Sequence, residues 1–268
     1  MKIVLKIGFK ILIAIILTLL TQIGGFIYLI LELTIKRTIK NYRIIKSGVF
    51  IVSYLMTTFM AVPYLAPIFG REKIQNNDFI EACSLFTIVC NRNYVTPELN
   101  TTILNISKTI HKKHSGIKLV YLDANFPFIN GFPLPPHLSH NDGKKVDISF
   151  IYTNENKKIT NKKPAVLGYG IYEDPNQGEY DQIKICKKKG YWQYDFAKYL
   201  TFGIINNQLK LSEKATKDLL LAIVNEQNVG KIFIEPHLKN RLGVQSSKIR
   251  FHGCQAVRHD DHIHLQLK

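Results

Sequence analysis

Apolar positions crowd into the first seventy residues. Lys2, Lys6 and Lys10 precede an uncharged run over residues 11–31. That run reaches the roughly 20 residues an α-helix needs to cross the hydrocarbon core of a bilayer. A cleaved signal peptide is the competing reading, but the run is too long and lacks a small-residue cleavage site. Lys36, Arg37, Lys40, Arg43 and Lys46 follow, and a second uncharged run covers residues 47–70 with Pro63 and Pro67 inside it. The pattern predicts a two-helix transmembrane hairpin, over about 11–31 and 47–70, within a membrane anchor spanning 1–70. Two crossings leave both chain ends on one side. Segment 36–46 holds five cations and no acid, so the positive-inside rule puts it in the cytoplasm and the rest of the polar chain outside.

Beyond Gly70 the pattern becomes that of a soluble mixed domain, residues 71–268. Residues 79–89 and 104–114 have helix-like spacing. Residues 118–122 and 146–152 read as strands, separated by a Pro- and Gly-rich loop over 125–136. Residues 165–172 and, more weakly, 186–192 also have strand character. Helices are expected over 196–205, over 213–226 with Ser212 as N-cap, and over 237–242. Residues 231–235, 249–251 and 262–267 close the chain as strands. Helices and strands intermix without a βαβ rhythm. The expected fold is therefore α+β, a mainly antiparallel sheet with flanking helices.

The formal net charge is +16. Residues 76–268 carry 26 Lys/Arg against 18 Asp/Glu, mild enough for a domain working on an anionic surface. No basic helix or aromatic-basic alternation points to nucleic acid. The four cysteines, Cys83, Cys90, Cys186 and Cys254, form no C-x-x-C pair and allow three pairings or free thiols. On a continuous helix Cys83 and Cys90 would stand about 10 Å apart, too far to bridge.

Two stretches carry candidate chemistry. The first runs from His137 through Ser139, His140, Gly143 and Asp147 to Ile148. The second is Arg258-His259-Asp260-Asp261-His262-Ile263-His264. On a strand, residues two apart share a face, so His262 and His264 project together while Ile263 packs behind. Asp147 and Ser149 likewise share a face, opposite Val146, Ile148 and Phe150. Three His/Asp ligands with one vacant position describe a catalytic zinc site, since structural sites are closed and cysteine-rich. Asp260 and Asp261 either orient the histidines or are exposed loop acids.

The spacing His137-x-Ser139-His140-x-x-Gly143-x-x-Val146-Asp147-Ile148, followed by His259-Asp260-x-His262-x-His264, resembles the two zinc motifs of penicillin-insensitive murein endopeptidases. These belong to the lysostaphin, D-alanyl-D-alanine peptidase and hedgehog superfamily. The membrane hairpin is not part of that pattern. The resemblance implies that His140, Asp147 and His264 bind Zn2+. It implies that His262 is a general base or transition-state stabiliser, and that His259 holds the oxyanion or orients substrate. Ser139 would support the site from behind, and His137 would be a hydrogen-bonded neighbour or an extra ligand. The expected function is hydrolysis of amide bonds between D-amino acids in peptidoglycan cross-bridges, outside a bacterial cytoplasmic membrane. A D,D-carboxypeptidase on stem peptides and a non-catalytic zinc-stabilised cell-wall binding module are the alternatives.

Overall fold

The computed structural model describes residues 2–268. The uncharged run 11–31 is not one helix. A first helix, Lys2–Thr21, stops at Gln22, whose φ of 67° is left-handed. A second, Gly24–Thr34, folds back along the first. The turn works because Gly24 and Gly25 lack side chains. A Cβ on Gly25 would lie 2.2 Å from the Ala14 carbonyl oxygen, so only glycine permits this backbone approach. The third helix starts earlier than expected, at Tyr42, and runs through a π-helical turn, Thr57–Ala61, before Pro63. Proline offers no N–H to the preceding turn and crowds the carbonyl four residues back, which the widened turn accommodates. Gly70, with φ 70°, ends the helix. Two segments, Val4–Thr21 and Tyr42–Phe69, are long and apolar enough to cross a membrane.

These helices have a near end and a far end relative to the domain. At the near end the Asn91 amide donates to Thr21 O (3.3 Å), Phe128 N–H donates to Gln22 Oε1 (3.0 Å), and Tyr54 OH donates to Val89 O (2.5 Å). At the far end Glu32 forms ion pairs with both Lys10 and Lys46. The start of the first helix and the basic segment 36–46 therefore lie together, away from the domain. A simple two-crossing hairpin predicts the N-terminus beside the domain; the extra reversal at Gln22 places it at the far end instead.

The domain is α+β, built on a six-stranded mixed sheet. Its spatial order is Ile249–Arg250, Val229–Phe233, His262–Leu267, Lys145–Ser149, Leu119–Tyr121, Ile80–Ala82. The three central pairings are antiparallel and both edge pairings are parallel, so the sheet is mixed. Helices Pro97–Lys113 and Glu213–Asn225 cover one face with Leu99, Ile103, Ile106, Leu219 and Ile223, against Val146, Ile148, Ile263 and Leu265. The other face carries the polar residues of the same strands.

Several local expectations give way to tertiary context. Residues 79–89 split into strand Ile80–Ala82 and helix Leu85–Val89, divided by Ser84, whose side chain accepts the Thr87 N–H. Residues 165–172 form an irregular loop rather than a strand. Residues 186–192 are not a strand either: helix Gln182–Lys188 ends there. Residues 196–205 are not an α-helix, since a 3-10 helix, Trp192–Leu200, occupies that place. Ser212 sits at the N-cap of Glu213–Asn225 but its side chain makes no capping bond. Cys186 and Cys254 form a disulfide, while Cys83 and Cys90 are buried free thiols.

Candidate metal centre

The site forms because of strand register. His264 is the direct cross-strand partner of Asp147, and His262 that of Ser149. Facing residues in an antiparallel pair hold their Cβ atoms about 4.5–5.5 Å apart. The polar faces of both strands thus meet, while Ile263 and Ile148 fill the core behind.

His140 reaches the same point from the loop before its strand. That loop reverses at Gly143, with φ 78°, where a Cβ would collide with the Arg71 guanidinium. His140 Nδ1–H donates to Ala124 O at 2.7 Å. A carbonyl can only accept, so this bond fixes the tautomer and leaves Nε2 with a free lone pair. Arg92 clamps Asp123 with two bonds (2.8 and 2.9 Å) and holds Pro135 O, which braces the loop.

His140 Nε2, Asp147 Oδ1 and His264 Nδ1 make a triangle with edges of 3.2, 2.8 and 3.1 Å. Ligand atoms at 2.0–2.1 Å from one tetrahedral ion stand roughly 3.3 Å apart. The triangle is close to that size. His137 Nδ1 lies 2.7 Å from the other Asp147 oxygen, yet neither of its ring nitrogens makes an in-line hydrogen bond. His137, His140 and Asp147 form a buried group, its donor atoms within 4.8 Å of one another, that could hold a metal ion. Buried imidazole nitrogens without partners are costly. Among the described residues His259 Nδ1 and His264 Nε2 are also without one, so the cluster has unused ligand capacity.

Electrostatics suit a cation. Burial by itself would raise the Asp147 carboxyl, but His140, His262 and His137 outweigh it and hold the group well below the usual carboxylate range. Burial holds His264 down at about 3, against the pull of Asp147, so its ring is neutral. Burial, reinforced by His262 and His264, keeps His259 neutral too. An ionised carboxylate and neutral imidazoles are the forms a metal requires. His262 differs: burial opposes its charge, but Asp147 and Asp261 push it up to about 9.

Asp260 and Asp261 are fully buried, not exposed loop acids. Asp261 Oδ1 receives His262 Nδ1 at 2.5 Å, and its Oδ2 receives the Gly170 N–H at 2.6 Å. His262 Nε2 is thereby aimed inward, 3.6 Å from Asp147 Oδ1. Asp260 is gripped by Arg258, which also bonds Asp195 and Asp174. His259 is placed through its backbone: its N–H donates to Glu235 Oε1 (3.1 Å) and its carbonyl accepts from Glu235 N–H (3.0 Å).

A cleft of about 360 Å3 opens onto these atoms, lined by His137, Asp147, His252, His259, His262 and His264, with Trp192 and Phe196 among its other walls. Ser139 lines it as well, but among the described residues its hydroxyl bonds to none of the cluster. The sequence pattern ties neither Tyr169 nor His252 to the metal cluster. Tyr169 OH donates to Asp147 Oδ2 at 2.8 Å, from a segment whose alternation suggested a strand. His252 stacks on Phe233 at 4.2 Å beside His264, and no spacing relates it to the two motifs. Comparison with models of known protein families finds no match, and comparison with curated proteins finds none either.

Proposed function

We propose that the chain is a membrane-anchored zinc peptidase that hydrolyses amide bonds between D-amino acids in peptidoglycan cross-bridges. One observation carries this reading: the His140, Asp147, His264 triangle is close in size to that of three tetrahedral ligands and is flanked by an Asp-oriented imidazole at an open cleft. The likeness of the two motifs to those of murein endopeptidases supplies the substrate class. Zinc is favoured over harder cations because two of the three donors are imidazole nitrogens.

Bound by these residues, zinc supplies Lewis acidity, which polarises a carbonyl and acidifies water. Asp147 and Asp261 both raise His262, and a cation held by Asp147 would oppose that rise and favour the neutral imidazole that accepts a proton. Asp261 holds His262 Nδ1–H, so Nε2 takes the proton of the attacking water and returns it to the leaving amine. His259 is left to orient the tetrahedral oxyanion. Trp192, 76% exposed, offers a flat wall to the peptide. Tyr169 holds the outer oxygen of Asp147, with His137 Nδ1 beside it, which leaves Oδ1 turned toward His140 and His264, where a metal would be held.

The membrane assignment rests on Val4–Thr21 and Tyr42–Phe69, whose large apolar side chains are mostly exposed. Water does not tolerate a patch of that extent. Lys6, Lys10 and the basic segment 36–46 share the far end, so the positive-inside rule favours a cytoplasmic far end and a domain outside the cytoplasmic membrane.

Cross-linked murein fragments incubated with the full chain in detergent, and analysed by mass spectrometry, test the reading. Cross-linked dimers should disappear, and a chelator should stop the loss until zinc is restored. Release of terminal D-alanine alone would assign a carboxypeptidase. Intact dimers with stoichiometric zinc bound would assign a non-catalytic module.

A further inference from the structure

The groove between the first and third helices carries charges that the hydrolytic site does not use. It encloses about 2000 Å3 between Leu5, Phe9, Leu12 and Ile13 on one side and Phe50 and Ile51 on the other. Lys6, Lys10, Arg37, Arg43 and Lys46 line it with a single acid, Glu32. Glu32 is shared by Lys10 and Lys46. Lys6, Arg37 and Arg43 are exposed and have no acidic partner among the described residues.

We propose that this groove seats an anionic phospholipid of the leaflet farther from the domain, its acyl chain along the apolar walls and its phosphate against Lys6, Arg37 and Arg43. The inference needs the helices to lie in a membrane and does not depend on the hydrolytic reading. Length agrees: residues 4–17 rise by about 20 Å along the first helix, more than the roughly 15 Å of one leaflet's hydrocarbon. Charge agrees as well. Unpaired cations at a bilayer surface attract anionic lipid, each by roughly fivefold in affinity, whereas a zwitterionic headgroup would bring its own cation against them. An all-apolar groove would suit another helix equally, but the cations at its end have nothing to meet on an apolar partner.

The full chain, purified in detergent, is mixed with equal amounts of phosphatidylglycerol and phosphatidylcholine of identical acyl chains, and retained lipid is read by native mass spectrometry. Phosphatidylglycerol should be retained at least about fivefold over phosphatidylcholine. R37Q/R43Q should lower that ratio by a larger factor than K6Q does, each with an unchanged unfolding midpoint, and the three substitutions together should bring it close to one. Equal retention of both lipids by the parent chain would overturn the proposal, as would a preference that survives all three substitutions. So would a lipid-free dimer. Inorganic phosphate at the same concentration should not displace the lipid; displacement would assign a free-phosphate site instead. Murein cleavage is measured separately, so loss of this proposal leaves the peptidase reading standing, and the converse.

Discussion

Tyr169 donates to one oxygen of Asp147, and that single bond decides which oxygen faces His140 and His264. Partners of this kind hold a ligand in its binding geometry, and their loss costs 10- to 100-fold in metal affinity. Tyr169→Phe should therefore weaken zinc binding by about that factor in a chelator competition titration, with the fold intact by circular dichroism. An unchanged affinity would mean that the hydroxyl does not position Asp147. His262 has a separate role, since its Nε2 lies outside the tight triangle at 3.6 Å from Asp147 Oδ1. His262→Ala should keep the zinc content and lower murein cleavage by about 10²- to 10⁴-fold. If cleavage survived, the proton would be moving through another group. His264→Ala, in contrast, should lose the metal itself.

At the level of elements, the site depends on one register. A slip of one residue between His262–Leu267 and Lys145–Ser149 would turn His264 away from Asp147 and drive Ile263 to the cleft. Leu265 and Ile263, both buried in the core, hold the register because the slipped pairing would expose them. The disulfide Cys186–Cys254 ties helix Gln182–Lys188 to the loop that leads into His259 and closes a separation of 68 residues. The membrane helices show the same dependence on close contact. Gly25→Leu would push side-chain atoms into the Ala14 backbone. Overpacking of this sort costs roughly 1–3 kcal/mol, so the unfolding midpoint of the full chain in detergent should fall. An unchanged midpoint would show that the first two helices do not approach so closely.

For the whole molecule, the helices place two sets of residues at opposite ends. Lys6, Lys10 and the segment from Lys36 to Lys46 gather at the far end, and only Arg71 and Lys73 follow the third helix into the domain. The asymmetry makes a definite forecast for topology. The native free thiols Cys83 and Cys90 are buried, and burial pushes them up to about 12 and about 11, so they give little background to a thiol reagent. In intact cells stripped of any outer membrane, a membrane-impermeant maleimide should label Lys157→Cys, while Asn41→Cys stays protected until the bilayer is opened. The opposite pattern would put the domain in the cytoplasm and remove it from the cell wall.

The local patterns of the chain already contain the shared face of His262 and His264, the placement of Asp147 opposite its apolar neighbours, and the two apolar runs. Alternation and hydropathy need only a few consecutive residues to express themselves, so they are readable without a partner. Other features were set by which distant segments became neighbours: the pairing of His264 with Asp147, the mixed edges of the sheet, the fold-back at Gln22, and the burial of Asp260 and Asp261 under Arg258 and Gly170. Tyr169 and His252 belong to that second group. Tyr169 reaches Asp147, and His252 the cleft, each from a segment whose own pattern says nothing of metals, and only close packing of the folded chain gives either side chain a chemical neighbour.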